Sequence, residues 1–352
     1  MQKVIIDVDP GIDDSYALSV ASLNEDIEIM AITVVHGNTS VDNGAINTKI
    51  VLDNIFPKHK PQPPIYLGAQ KPLYKPENKF FFHNQDGLAG LHETLYKNEA
   101  DHLKETFLKE KKSNHSPHAA NKIVELVNQY PNEIIIIALA PLTNLALALK
   151  LCHEPEKFTK NIKKILIMGG NEPKGFFNET THDTSSNYPE FNFRIDSTAA
   201  KIVLEEYLCP ISIVTFDSSL RAFEIETSIL IEEFKKYMHK SKRCNFLQSI
   251  GIVHRLACKN PTKFFSCDLA AVLCFLHSNE CKAEFKKLSN YTVQSDESNL
   301  DGLLVERNES KEKVLNKNID ICTTMDSQIN YELFKSYLEK MKKLDENEDN
   351  FI

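Results

Sequence analysis

Residues 4–14 read VIIDVDPGIDD, and this stretch predicts a strand, a tight turn and the start of a helix. The β-branched run at 4–6 favours a buried strand, and Pro10 with Gly11 marks the turn. From Tyr16 onward the apolar residues recur at helical spacing. A strand followed at once by a helix is the repeating unit of α/β folds with a parallel sheet.

Four carboxylates lie close together in this stretch, at Asp7, Asp9, Asp13 and Asp14. They repel one another, so a fold tolerates them best when a cation lies among them, and carboxylate oxygens are hard ligands that favour Ca²⁺ or Mg²⁺. Helix capping is the simpler interpretation, but it explains one or two of the aspartates rather than all of them. An EF-hand does not fit, because no Glu stands at the twelfth loop position.

The composition is that of a soluble globular protein, with 42% hydrophobic and 26% charged residues in a chain of 352. The net charge of −8 argues against a nucleic-acid partner. No apolar run is long enough to span a bilayer and no signal-peptide pattern precedes Val4, so we expect neither a membrane partner nor export. The cysteines form no Cys-x-x-Cys pair, which agrees with reduced thiols and a cytoplasmic location.

Strands and helices are predicted to alternate, which indicates a mostly parallel central sheet flanked by helices, a Rossmann-like α/β architecture. After the first strand, further strands are predicted at 28–35, 65–67, 133–138, 164–168 and 211–216, with weaker ones near 289–293, 302–306 and 318–322. We expect a single domain over residues 1–344 and a disordered acidic C-terminal tail at 345–352. In such sheets ligands bind at the carboxyl ends of the strands.

The polar segments at those strand ends resemble the motifs of the nucleoside hydrolases, the inosine- and uridine-preferring family. The opening Asp-x-Asp-Pro-Gly-x-Asp-Asp at 7–14 is the most specific of them. The haloacid-dehalogenase phosphatases also open with Asp-x-Asp, but they continue with Gly and then Thr or Val, where this chain has Pro10 and Gly11. The other matches follow in order: Gly37-Asn38, His83 with Gly87-Leu88, Pro141-Leu142-Thr143-Asn144, Met168-Gly169-Gly170, and Glu190-Phe191-Asn192 with Asp196.

This resemblance implies hydrolysis of the N-glycosidic bond of ribonucleosides, purine or pyrimidine, to ribose and free base. Asp9, Asp14 and Asp268 would hold a Ca²⁺ ion through their carboxylates, and Thr143 would hold it through its backbone carbonyl. Asp9 would also be the general base toward a calcium-activated water, with an oxocarbenium-like transition state. The substrate contacts implied are Asp13, Asn38 and Asn192 for the ribose hydroxyls, Glu190 for the 5′-hydroxyl, Met168 beneath the sugar, and Asp268 beside the ion.

Several of these residues also have a simpler interpretation. Asn38 after Gly37 fits a turn, Thr143 or Asp268 fits a helix cap, and Met168 fits the core.

Cys267 stands where many members of the family have a His that helps to protonate the leaving base. A thiol near its ordinary pKa is mostly protonated at neutral pH, so Cys267 is one candidate for this acid and His83 is the other. If the change to Cys267 has removed turnover, the chain would instead be a nucleoside- or ribose-binding protein. The resemblance further implies a role in purine or pyrimidine salvage and a homodimer or homotetramer.

Overall fold

A computed structural model describes residues 1–75, 83–113, 116–173, 189–237, 239–257, 263–296, 298–306 and 318–350. The strands are β1 Gln2–Val8, β2 Ile27–Val34, β3 Ile65–Leu67, β4 Ile134–Ala138, β5 Lys164–Met168, β6 Ile211–Val214, β7 Glu224–Glu226, β8 Lys263–Phe265, β9 Glu284–Lys287, β10 Tyr291–Val293, β11 Leu304–Glu306 and β12 Ile319–Thr324.

The helices are α1 Ile12–Leu23, α2 Val41–Ile55, α3 Lys97–Leu103, α4 Lys109–Ser113, α5 Ala119–Gln129, α6 Thr143–Leu151, α7 Pro155–Lys160, α8 Phe191–Ile195, α9 Ser197–Glu206, α10 Phe216–Ala222, α11 Thr227–Lys235, α12 Lys242–Ala257, α13 Cys267–Leu276 and α14 Ser327–Asp349. A π-helical segment, Lys104–Leu108, joins α3 to α4, and a 3-10 turn lies at Leu91–Glu93.

Eight strands form the central sheet in the order β3-β2-β1-β4-β5-β6-β12-β9. Every neighbouring pair in this sheet is parallel except β9 with β12 at one edge. The predicted mostly parallel α/β sheet is therefore confirmed. The strand pair β10 and β11, which the sequence predicts near 289–293 and 302–306, forms a separate antiparallel hairpin instead of joining the sheet.

Both faces of the sheet are buried, because side chains alternate along each strand. Ile6 belongs to the apolar cluster that contains Leu18 of α1, whereas its neighbour Ile5 belongs to the cluster that contains Ile123 of α5. The four consecutive isoleucines of β4 divide in the same way and are at most 2% exposed. Helices therefore cover the two faces, as an uninterrupted apolar strand requires.

The strand order reverses at β1, which pairs with β2 on one side and β4 on the other. A crevice forms at such a switch point, outside the carboxyl ends of the strands, and it is the usual ligand site of open α/β sheets. The loop 9–11 leaves β1 at this point, so the fold places the opening motif there.

The C-terminal tail differs from the sequence prediction. Helix α14 continues to Asp349, and Asp345 is only 6% exposed. Its carboxylate pairs with Arg243 of α12 and accepts a hydrogen bond of 2.6 Å from the Ser241 hydroxyl. The acidic run is thus helical because one of its carboxylates has a buried partner. Among the described helices, none combines the length and the apolar character that crossing a bilayer requires.

Candidate active site

The aspartates of the opening motif take up different positions around the β1–α1 loop. Asp14 accepts the Gly11 backbone N–H at 2.9 Å through Oδ2, so it caps the start of α1. Asp9 accepts the Asn38 backbone N–H at 2.6 Å through Oδ2. Asp7 lies deeper, where its carboxylate accepts hydrogen bonds from Thr33 and Asn144. Capping therefore explains one of the four carboxylates.

Three carboxylates converge at the mouth of this loop. The carboxylate oxygens of Asp13, Asp14 and Asp268 lie within 4.8 Å of one another. Asp268 reaches them because α13 packs against α1, and the Ser266 hydroxyl caps the start of α13 by accepting the Leu269 N–H. The group includes Asp13, for which the resemblance implied a contact with the ribose hydroxyls, and does not include Asp9.

Three aspartates of the opening motif have an oxygen atom that no described residue satisfies. Oδ1 of Asp9, Asp13 and Asp14 is buried and has no hydrogen-bond partner among the described residues. Burial, and next the charge of neighbouring aspartates, raises the pKa of Asp9 and Asp268 well above its usual range, and that of Asp14 to about 7. Unpaired buried oxygens are costly unless a cation or proton occupies the space between them, so this donor set fits a hard divalent ion.

His83 lies against the same loop. Its Nδ1 accepts the Ile12 backbone N–H at 3.4 Å, and burial lowers its pKa while the charge of Asp13 opposes that shift. The segment that carries His83 is tied down by Asn47 of α2, whose amide donates to the Pro10 carbonyl at 2.9 Å and to the Asp86 carbonyl at 2.8 Å. The aspartate loop and the His83 segment therefore share one anchor.

The opposite wall is built from β5 and α8. Glu190 caps α8, with Oε1 accepting the Asn192 N–H at 2.7 Å and Oε2 accepting the Gly170 N–H at 2.9 Å. Burial raises its pKa to about 7, although these N–H donors oppose the shift. The Asn192 amide donates to the carbonyl oxygens of Leu139 and Met168 at 3.0 and 3.2 Å. Glu190 and Asn192 are thus held rigidly at the ends of β4 and β5.

Thr143 is the first residue of α6 and is fully buried. The residue that precedes the helix is Leu142, so Thr143 is not its cap. Its hydroxyl donates to Asp196 Oδ2 at 2.6 Å and lies 3.0 Å from His36 Nε2. The hydroxyl is therefore engaged in the protein interior, and the carbonyl is the group that remains for a ligand role.

The Cys267 thiol is affected by the charges of both walls. The thiol is buried, and burial raises its pKa, with the charges of Asp13 and Glu190 acting in the same direction and a hydrogen bond with Ser219 opposing them. A thiol in this setting stays protonated through the physiological range. Asp13 belongs to the acidic group and Glu190 to the wall of β5 and α8, so the Cys267 thiol lies within electrostatic range of both.

Sequence reasoning assigned no role to the residues whose hydrogen bonds support this site, among them His36, Asn47, Asp86 and Asn144. Asn47 offers one usable signal, since it follows Ile46 on the inner face of α2, where a polar side chain needs a buried partner. Asp86 accepts the N–H groups of Leu88, Gly90 and His92, and only the fold reveals that arrangement.

Comparison with known proteins identifies a family. The family model described as inosine-uridine preferring nucleoside hydrolase matches residues 4–332. A probable uridine nucleosidase from Oryza sativa is 35% identical over 171 residues, 48% of this chain and 46% of that protein. The inosine-uridine preferring nucleoside hydrolase of Crithidia fasciculata is 31% identical over 208 residues, 58% and 57% of the two chains. The matches thus span about half the length of these curated relatives.

Solved structures share the fold over nearly the whole chain. A plant nucleoside hydrolase superposes with a TM-score of 0.75 at 21% identity, covering 96% of this chain and 98% of its own. A purine-preferring ribonucleoside hydrolase from Gardnerella vaginalis superposes with a TM-score of 0.74 at 19% identity, covering 97% and 100%.

Proposed function

The chain belongs to the inosine-uridine preferring nucleoside hydrolase family, and on that basis we propose that it hydrolyses the N-glycosidic bond of ribonucleosides, purine or pyrimidine, to ribose and free base. The observation that carries the proposal is the acidic group at the switch point of the sheet: Asp13, Asp14 and Asp268 converge there, and Oδ1 of both Asp13 and Asp14 is buried without a hydrogen-bond partner among the described residues. Such a site suits a cation and a reaction that develops positive charge.

Calcium is the proposed cofactor. Asp9, Asp14 and Asp268 would hold it, with the Thr143 carbonyl, and the closeness of Asp13 to Asp14 and Asp268 adds Asp13 as a further oxygen donor. When bound, the ion would offset the charge of the carboxylates, orient the ribose hydroxyls and make a water molecule more acidic.

The side chains around the sugar have separate tasks in this proposal. Asp9 takes a proton from the attacking water through Oδ1, because Oδ2 is already occupied by the Asn38 N–H. Asn38 and Asn192 bind ribose hydroxyls, Glu190 binds the 5′-hydroxyl, and Met168 packs beneath the ring. The carboxylates of both walls stabilise the oxocarbenium-like cation as it forms.

Two groups are candidates for the acid that protonates the leaving base. Cys267 stays protonated but releases its proton reluctantly, because burial raises its pKa. His83 accepts the Ile12 N–H through Nδ1, so its neutral form carries the proton on Nε2. We propose that one of these two residues donates the proton to the leaving base.

The remaining proposals concern the protein as a whole. We expect one nucleoside hydrolase domain, a place in purine or pyrimidine salvage, and a homodimer or homotetramer. A cytoplasmic location is supported by the free thiols of Cys152, Cys209, Cys244, Cys267, Cys274, Cys281 and Cys322.

Release of free base from inosine and from uridine tests the proposal, measured with the purified chain in calcium and in excess EGTA. We expect base release in calcium and its loss in EGTA, with activity restored when calcium is added back. Nucleoside binding by calorimetry without any base release would contradict the enzymatic proposal and favour the binding protein. The observation that favours a binding protein is the buried thiol of Cys267, which is a poor proton donor.

A further inference from the structure

The side chain of Thr143, whose carbonyl is a proposed calcium ligand, is part of a chain of hydrogen bonds. This chain runs from His36 at the end of β2, through the Thr143 hydroxyl, to Asp196 before α9, and the three residues are at most 4% exposed. Of these three residues, Thr143 is assigned to the ion through its carbonyl, and His36 and Asp196 are assigned neither to the ion nor to the sugar.

The direction of each hydrogen bond follows from the proton count. The Thr143 hydroxyl has one proton and donates it to Asp196 Oδ2 at 2.6 Å. Its oxygen is therefore an acceptor toward His36, and His36 must donate Nε2–H across the 3.0 Å contact. Thr143 is held from two sides, by a donor and by an acceptor.

Each end of the chain is fixed by other segments. Asp196 Oδ2 also accepts the Leu73 N–H at 3.0 Å, and its Oδ1 accepts the Ala199 N–H at 3.0 Å. The His36 backbone N–H donates to the Ala69 carbonyl at 3.0 Å. Backbone N–H groups hold the Asp196 carboxylate, and the Ala69 carbonyl holds the His36 backbone. His36, Thr143 and Asp196 thus form a clamp that restricts where the Thr143 peptide lies.

We infer that His36 and Asp196 are positioning residues that fix the Thr143 backbone for calcium binding. The inference rests on the proposed function, which supplies the ion and the Thr143 carbonyl as its ligand. Residues that orient a ligand from behind commonly change metal affinity by about 10–100-fold when they are replaced.

Calcium affinity measured by calorimetry on the chelator-treated chain tests the clamp. Thr143→Val keeps the shape of the side chain but removes both hydrogen bonds, and we expect affinity to fall about 10–100-fold. Thr143→Ser keeps the hydroxyl and should bind calcium as the parent does. Thr159→Val is the matched control, since Thr159 is equally buried and its hydroxyl bonds only within α7.

Circular dichroism establishes that each variant is folded before titration. If Thr143→Val does not fold, the pair His36→Gln and His36→Leu takes its place, because Gln retains an N–H donor and Leu does not. We then expect Gln to preserve the affinity that Leu loses.

The clamp is overturned if folded Thr143→Val, or His36→Leu in its place, binds calcium as tightly as the parent. That outcome leaves the proposed function intact, because the parent still binds the ion. A parent chain that binds no calcium overturns the clamp and the calcium part of the proposed function together.

Discussion

Gly37 leaves room for the carboxylate of Asp9. A Cβ atom at Gly37 would lie 2.7 Å from Cγ of Asp9 and would overlap its Oδ2. The same oxygen accepts the N–H of Asn38, the residue that follows Gly37. The end of β2 thus holds the proposed general base by a close backbone approach that only glycine allows.

Gly37→Ala should therefore displace Asp9 without removing any carboxylate. We expect calcium affinity to fall about 10–100-fold, as for other groups that orient a ligand, and base release to fall with it. Calcium titration and initial rates measure both. A variant with parental calcium affinity would show that Asp9 tolerates displacement and does not bind the ion.

Asp9→Asn should abolish turnover while keeping the side chain's volume. It removes the proposed general base, and proton transfer of this kind typically contributes about 10²–10⁴-fold to the rate. The rate of base release from inosine measures the loss, with Asp42→Asn as a control, since Asp42 is a half-buried residue at the start of α2 that pairs with Lys112 and has no assigned role at the site. Near-parental kcat in Asp9→Asn would remove Asp9 from the chemistry.

The metal-free protein should lose stability as pH rises from about 4 to 7. Burial raises the folded-state pKa of Asp7 and Asp14 to about 7, against about 3.9 in the unfolded chain. In that window the folded state binds more protons, so the free energy of unfolding falls as pH rises.

Calcium should oppose the part of this trend that comes from Asp14, because it binds the ionised carboxylates of the proposed site. At 100 times its dissociation constant it should add about 2.7 kcal/mol to the free energy of unfolding. Urea titrations at several pH values, in EGTA and in calcium, measure both effects. Identical pH profiles with and without calcium would mean that the ion does not occupy these carboxylates.

Paired substrates should separate Cys267 from His83 as the leaving-group acid. The variant that lacks the true acid should lose about 10²–10⁴-fold on inosine, but little on p-nitrophenyl riboside, whose leaving group needs no proton. Initial rates for Cys267→Ala and His83→Ala on both substrates measure this. Equal losses on the two substrates would indicate that the residue shapes the pocket and donates no proton.

Asp345→Asn should destabilise the fold by about 3 kcal/mol, because it leaves the buried guanidinium of Arg243 partly uncompensated. Arg243 keeps its pair with Glu348, which places the loss at the low end of the usual range. Asp349→Asn removes an exposed pair with Lys242 and should change stability by less than about 1 kcal/mol. Equal losses of unfolding free energy in urea titrations would show that the buried pair stabilises the fold no more than the exposed pair.

The sequence predicts the sheet and the location of the site because both depend on local patterns. The four isoleucines of β4 predict a buried strand, Asp9 follows β1 directly, and Asn38 lies in the short loop after β2. The arrangement behind the site could not be predicted, because its partners are distant in sequence: His92 meets Asn47, 45 residues away, at 2.6 Å.

The direction in which each side chain points also could not be predicted from the sequence. Whether Asp13 lies beside Asp268 depends on where α1 begins, since each residue turns a helix by about 100°. Likewise, the acidic run near Asp345 resembles a solvated tail until Arg243, 102 residues earlier, is placed against it.

During synthesis, strand β6 is complete long before β12, one of its two neighbours in the sheet. Its partner β12 begins at Ile319, so residues 215–318 leave the ribosome between the two. At the usual pace of translation β6 presents an unpaired apolar edge for roughly 5–20 s, and such edges recruit other chains. A chain stopped at residue 318 should accordingly aggregate on expression where the full chain stays soluble, and sedimentation of the two lysates would decide it.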